Sequence, residues 1–202
     1  DDVVNNAGIE KAFRYIRDIK EIPLADFNGA VTQEPYKAIF SVPGFVQLED
    51  YDMGGQSVSF YDKDFVNEGG AYREDGVDIV QIDSADASKG YAIGYTQAGE
   101  WLEYSVNVVT TSKFVFRASV ADGLEGGGIR LFIDGKAVTD TVAVPQTEDW
   151  NTYTLMDGET SEIEKGDHVL RVQFTGSYVN LDWIQFALTK EELNTTGIRK
   201  VP

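Results

Sequence analysis

From about residue 45 to residue 188 the chain is written in short runs whose apolar side chains recur at every second position, with glycine- or aspartate-bearing turns between them. FVQLEDY, WLEYSVNV, FVFRASV, IRLFID, KAVTDTVAV, NTYTLM, HVLRVQF and VNLDWIQFAL all carry this period, which is that of strands with one face in a core. Asp134–Gly135, between IRLFI and KAV, makes a two-residue hairpin turn, because both residues tolerate positive φ. Eight or more strands without a convincing helix predict an all-β domain: an antiparallel β-sandwich, of jelly-roll type, with two packed sheets. GLEGGG at 123–128 lies between strands with no helix after it, so it reads as a turn and not as a phosphate loop. There is no internal repeat.

The first forty residues have a different texture. In AGIEKAFRYIRDIKEIP, Ile9, Ala12, Phe13, Ile16 and Ile19 follow helical spacing and Pro23 closes the segment, which predicts a short amphipathic helix over roughly 7–20. The stretch after it has no period and reads as a linker along a surface. The expected organisation is a helical extension or domain remnant over 1–40, a sandwich over 41–188 and a C-terminal linker over 189–202. DDVVNNAG lacks a basic-then-apolar leader, the pattern of a mature protein or of a piece excised from a longer one.

Composition narrows the partners. Thirty-four acidic against 17 basic side chains give a formal charge of -17, which opposes phosphate backbones and anionic lipid, so neither nucleic acid nor a membrane is expected. No apolar run approaches the ~20 residues of a membrane helix. With no cysteine there is no disulfide framework and no thiolate nucleophile. The 42% hydrophobic and 12% aromatic content is ample for one core, and 20 glycines against five prolines imply many tight turns.

Catalytic chemistry finds little to use. Strand alternation in WLEYSVNV sends Glu100, Leu102 and Tyr104 to one face and Trp101, Glu103 and Ser105 to the other, so the two glutamates cannot face each other as a hydrolase pair would. His168, the only histidine, sits at a turn-to-strand junction and reads as a surface residue. The nucleophile-elbow, zincin, phosphate-loop and dinucleotide signatures are all absent.

Two constellations remain. Gln47 and Glu49 share a face of an early run, as do Asn180 and Asp182 of a late one; if those strands are neighbours, Gln47, Glu49 and Asp182 meet as oxygen ligands for a hard cation such as Ca²⁺, and otherwise they form a solvated polar edge. Tyr95 and Trp150 stand beside turns, where an exposed ring stacks on the C–H face of a sugar, with Asn180 near to bind hydroxyls; the alternative is that each ring fills the end of the sandwich. Trp101 and Trp183, within regular strands, are assigned to the core.

In order and spacing, VQLEDYD, YREDGVDI at 72–79, GYTQAGEWLEY at 94–104, VPQTEDWNTYT at 144–154 and GSYVNLDWIQF at 176–186 resemble the family 6 carbohydrate-binding modules, non-catalytic sandwiches attached to plant cell wall hydrolases. The resemblance covers 45–188. It implies a cleft in the loops at one end, with Tyr95 and Trp150 as the clamp and Asn180 on the hydroxyls, and with Glu74 and Arg73 of the YREDG loop beside it. It also implies a structural Ca²⁺ on Gln47, Glu49 and Asp182, and a second cleft near Trp101 that only some members use. The expected partner is a polysaccharide, xylan or another β-glycan, bound outside the cell by a module covalently linked to a catalytic domain. The rival readings are a glycan-active enzyme in its own right and a structural domain that orients a catalytic neighbour, the latter requiring Tyr95 and Trp150 to be buried.

Overall fold

The computed structural model describes residues 32–83 and 90–193; the helix expected over 7–20 lies outside the described residues. Contacts divide the chain into two units, Asp1–Thr32 and Gln33–Pro202, and the sandwich lies in the second. Residues ahead of position 41 already belong to it: Glu34 bridges Met53, Gln33 donates to Asp52 at 2.9 Å, and the ring of Tyr36 meets that of Tyr72 edge-on.

Thirteen strands are described: β1 (Phe40–Val42), β2 (Gly44–Gln47), β3 (Phe60–Tyr61), β4 (Ile79–Gln81), β5 (Tyr91–Ile93), β6 (Trp101–Val108), β7 (Val115–Ala121), β8 (Gly128–Ile133), β9 (Lys136–Ala137), β10 (Val142–Ala143), β11 (Thr154–Glu159), β12 (Gly166–Phe174) and β13 (Asn180–Ala187). One sheet runs β1-β6-β12-β8-β10, with β3 on β6 and β9 on β8; the other runs β11-β7-β13-β5-β4, with β2 on β13. The pairing is antiparallel except that β1 runs parallel to β6.

The alternation predicted from sequence is what packs the two sheets together. Leu102, Tyr104, Val106 and Val108 of β6 and Leu170, Val172 and Phe174 of β12 face Phe116, Ala118 and Val120 of β7 and Leu181, Ile184 and Phe186 of β13 across one continuous core. Each such large apolar side chain contributes about 1.5–3 kcal/mol by leaving water.

Of the two tryptophans assigned to the core, Trp183 is buried as expected and Trp101 is not. Trp101 precedes Leu102, so parity turns it to the outer face of its sheet, where it is half-buried. Trp183 is fully buried, yet it lies outside the inter-sheet cluster and packs edge-on against Phe45 at 5.2 Å between ring centroids. The cause is a bulge: β13 shifts register against β7 between Leu181 and Ile184, and the inserted residue re-aims this part of the strand.

His168 does more than begin a strand. Its Nδ1 lies 2.7 Å from Asp134 Oδ2 and its Nε2 2.9 Å from the carbonyl of Glu164, an arrangement in which both ring nitrogens donate. The hydrogen bond to Asp134 raises the imidazole pKa above its ordinary value, against a smaller opposing effect of burial. A raised folded-state pKa means that the contact stabilises fully below the ordinary imidazole value and is lost as pH rises through the folded-state value. His168→Gln is therefore expected to lower the melting temperature at about pH 5 and to have little effect above about pH 8, as read by thermal unfolding across that range; an equal loss at both ends would contradict the ion pair.

Candidate functional site

The strand ends determine which loops meet. Leu181 of β13 pairs with Ile93, the last residue of β5, so the turn that begins at Gly94 leaves β5 where β13 starts. Asn180 pairs with Ala121 at the end of β7, and Thr154 at the start of β11 faces Val120. The turns after β5 and β7 and those before β11 and β13 therefore gather at one end of the second sheet.

Between them lies a cavity of about 400 Å³ lined by Val80, Tyr95, Trp150, Asn151, Tyr178 and Asn180. That volume is within the ~300–1,000 Å³ typical of small-molecule sites. Its rings are exposed: 51% for Tyr95, 38% for Trp150 and 48% for Tyr178. A purely structural role required the first two to be buried, and they are not.

The rings are held by backbone and not by one another. Trp150 Nε1 donates to the Tyr178 carbonyl at 2.7 Å, and Asn180 Nδ2 donates to the Trp150 carbonyl at 2.9 Å. The second bond uses one N–H of the Asn180 amide, a residue only 6% exposed, and identifies its Oδ1 as the acceptor. Beneath the indole is Gly123, where a Cβ would stand 2.9–3.0 Å from Cδ2, Cε2 and Cε3 of Trp150. Gly94 has the same function under Asn180, since a Cβ there would come within 2.9 Å of Asn180 Oδ1 and of Val80 Cγ1. Glycines are needed at both positions because the backbone forms the floor. Tyr95 adopts φ 48° and Tyr178 φ 66°, strained conformations for bulky residues and of a kind that concentrates at ligand sites.

Of the residues singled out from sequence, Tyr95, Trp150 and Asn180 come together here. Arg73 and Glu74 do not line the cavity. The Arg73 guanidinium lies between the rings of Tyr51 and Tyr36, at 3.7 and 4.2 Å from their centroids, donates to the Tyr51 carbonyl and pairs with Asp75 at 2.7 Å, which makes it a buried strut of the 62–78 loop. Glu74 is exposed. Val80, Asn151 and Tyr178 escaped the reading; the last two were within reach of it, as polar or aromatic residues flanking Trp150 and Asn180 in the same turns.

Glu100 and Glu103 are separated as alternation required. Glu100, 4% exposed, accepts the amides of Lys63 at 3.1 Å and Gln97 at 2.6 Å, and burial raises its pKa. Glu103 binds Arg171 on the outer face at 2.6–2.8 Å, and the Arg171 guanidinium stacks 3.8 Å from the Trp101 ring centroid. No carboxylate lines the aromatic cavity among the described residues, so it lacks the acid–base pair of a hydrolase.

Two groups offer oxygen ligands. β2 and β13 are neighbours, with Gln47 opposite Trp183, the residue after Asp182. Gln47, Glu49 and Asp182 are all buried, at 8%, 3% and 6% exposure, and both polar atoms of the Gln47 amide lack a hydrogen-bond partner among the described residues. A buried amide left so is costly, and a cation on its carbonyl oxygen would remove part of that cost, so the donor set fits Ca²⁺. Separately, Asp62, Asp64 and Asp78 present oxygens all within 4.8 Å of one another. Burial raises the pKa of Asp78 to about 7 and also lifts that of Asp62. Asp62 accepts the Asp64 amide and Asp78 the Glu68 amide, so both carboxylates brace the loop they belong to.

The model of the family described as carbohydrate binding module (family 6) matches residues 70–187. Solved structures with the same fold include a family 6 module from Clostridium cellulolyticum in complex with xylose, 24% identical over 73% of this chain and 98% of that one, at a TM-score of 0.51. A β-1,3-glucan-binding module from Bacillus halodurans is 20% identical over 74% and 98%, at 0.55. An arabinoxylan arabinofuranohydrolase of glycoside hydrolase family 43 from Bacillus subtilis, in complex with cellotetraose, is 19% identical over 75% of this chain and 28% of that one, at 0.51. At these identities the likeness is one of fold. No curated protein matches the chain.

Gly123→Ala should lift the indole off its floor without touching the core. The expected outcome is a shift in tryptophan emission and a melting temperature within a few degrees of wild type, since one surface methyl moves stability by only about 0.5–1 kcal/mol. An unchanged emission spectrum would mean that the ring does not rest on this glycine.

Proposed function

The chain belongs to family 6 of the carbohydrate-binding modules, a family of non-catalytic domains, and we propose that it holds a neutral β-linked plant cell wall polysaccharide, xylan first, between Tyr95 and Trp150. The observation that carries the proposal is the cavity whose lining, among the described residues, is three exposed rings, two asparagines and a valine, with no charge among them. Aromatic planes remove a pyranose from water along its C–H faces, while amides read the orientation of its hydroxyls. Asn180 Oδ1 accepts from one hydroxyl, and Asn151 lies beside it for another. Xylose in the complex of the Clostridium cellulolyticum module supports the choice of xylan.

The module serves an attached hydrolase or esterase. The matched region is about a quarter of the Bacillus subtilis arabinofuranohydrolase, which supports a covalently linked catalytic domain. For one or two sugar units Kd is expected at about 10 µM to 1 mM, because few atoms are buried. Tethering turns such weak binding into a high local enzyme concentration on insoluble polymer. Because the polymer is extracellular, so is the module. Ca²⁺ is its cofactor, held by Gln47, Glu49 and Asp182, where it would offset buried negative charge and stiffen the β2–β13 junction away from the sugar.

Affinity electrophoresis tests the ligand. Wild type should be retarded in gels containing xylan and Trp150→Ala should not, with a loss of at least about tenfold in affinity, or 1.4 kcal/mol. Retardation by β-1,3-glucan or mixed-linkage glucan alone would reassign the glycan, and free migration of wild type on every β-glycan would overturn the reading. For the cation, a Ca²⁺ chelator should lower the melting temperature and added Ca²⁺ restore it, with Gln47→Ala insensitive to both; a wild-type melting temperature unmoved by the chelator would remove Ca²⁺ from the account.

A further inference from the structure

We propose that Tyr178 is a third sugar-contacting ring, one that binds the unit adjoining the sugar clamped by Tyr95 and Trp150, so that the module reads at least two consecutive units of a chain. This rests on the carbohydrate-binding reading of the same cavity and adds to it a residue and a subsite.

Tyr178 stands at φ 66°, in the left-handed region that disfavours a large side chain. Tyr72 has the same φ, and its surroundings account for it: its ring packs on Tyr91 at 4.7 Å between centroids and meets Tyr36, and its hydroxyl bonds Asp50. Tyr178 has no comparable side-chain anchor among the described residues. Its backbone is what the loop uses. The amide donates to the Thr96 carbonyl at 2.5 Å, and the carbonyl accepts Trp150 Nε1 at 2.7 Å. Glycine would supply both groups without strain. The ring is thus the part of the residue that the fold does not use, and it is 48% exposed on the wall of the cavity. Strain that local packing does not explain points to a ligand.

Its place relative to Trp150 sets the subsite. An indole N–H lies in the plane of its ring, so the Tyr178 carbonyl sits beside the edge of the indole and not across its face. A sugar stacked on Trp150 covers the face. The next unit of the same chain passes the edge, where Tyr178 stands. No two of the rings of Tyr95, Trp150 and Tyr178 stack on each other among the described residues, which leaves the space between them for ligand.

Isothermal titration of wild type, Tyr178→Gly, Tyr178→Phe and Trp150→Ala with xylobiose and xylotetraose, and with the cello-oligosaccharides of the same lengths, tests this. Glycine suits the backbone at this position, so Tyr178→Gly should fold and melt at or above the wild-type temperature. It is expected to lose about tenfold or more in affinity for the tetrasaccharide and to lose less for the disaccharide, narrowing the gain with length; Tyr178→Phe should keep most of the wild-type affinity. Wild-type affinity of Tyr178→Gly for the tetrasaccharide, with binding lost in Trp150→Ala, would overturn the role of Tyr178 and leave the carbohydrate-binding reading standing. Equal losses at both lengths would overturn the adjoining subsite. Wild type binding none of the saccharides would defeat the parent reading, and the proposal with it.

Discussion

The Thr96 hydroxyl donates to the Val179 carbonyl at 3.0 Å and accepts the Val179 amide at 2.8 Å, in a place that is 2% exposed. On this pair of bonds the arrangement of the aromatic end depends. It locks the turn after β5 to the turn before β13, and so sets Tyr95 and Tyr178 side by side. The same turn then offers the Tyr178 carbonyl to Trp150, and Asn180 completes the circuit through the Trp150 carbonyl. Four residues from three loops thus settle their positions through backbone groups before any ligand arrives. Binding a sugar ring with few atoms is weak, and a site already ordered keeps the cost of association low.

The cavity itself is neutral, although acidic groups stand beside it: Glu148 and Asp149 are exposed just ahead of Trp150, and Asp122 is buried after the end of β7. The chain carries a formal charge of -17, yet the described residues lining the aromatic cavity are all neutral. Several buried carboxylates brace backbone or pair with arginine: Asp122 holds the turn after β7 through the Leu124 and Gly127 amides, Glu100 the turn below Tyr95, Asp78 and Asp62 the 62–78 loop, and Glu103 binds Arg171 across the outer sheet. A neutral polymer meets no penalty from such a surface, whereas an acidic one would be repelled. On the other sheet the Trp101 ring has Arg171 stacked on it, so that tryptophan already has a partner of its own.

Much of this was legible in the order of residues, and the exceptions have physical causes. Eight residues of alternating pattern, WLEYSVNV, became β6 without a shift in boundary, because one buried face fixes parity along a whole strand. β3, β4 and β5 went unseen because two or three residues are too short to display a period. Parity that separated Glu100 from Glu103 also put Trp101 outside, a consequence that its size and apolar character obscured. Trp183 is buried as expected, although a bulge beside it adds one residue where alternation counts none. Arg73 was drawn to the cleft by its loop, but two tyrosine faces and a carbonyl hold it elsewhere. Tyr95 and Trp150 were legible because aromatic residues beside turns are exposed, and Asn180 because the family pattern carries an asparagine at its position. Tyr178 was within reach as an aromatic residue in the turn beside Asn180, but its left-handed backbone conformation is one that no spacing reveals.

Backbone amide shifts on titration with xylotetraose report most directly whether this prearranged end is where sugar binds. Perturbations should cluster at Gly94–Thr96, Gly123, Asp149–Asn151 and Tyr178–Asn180, with the β-strands of the core unmoved. Shifts centred instead on the outer sheet around Trp101 and Arg171, or none at saturating concentrations of this or any other β-glycan, would contradict the account.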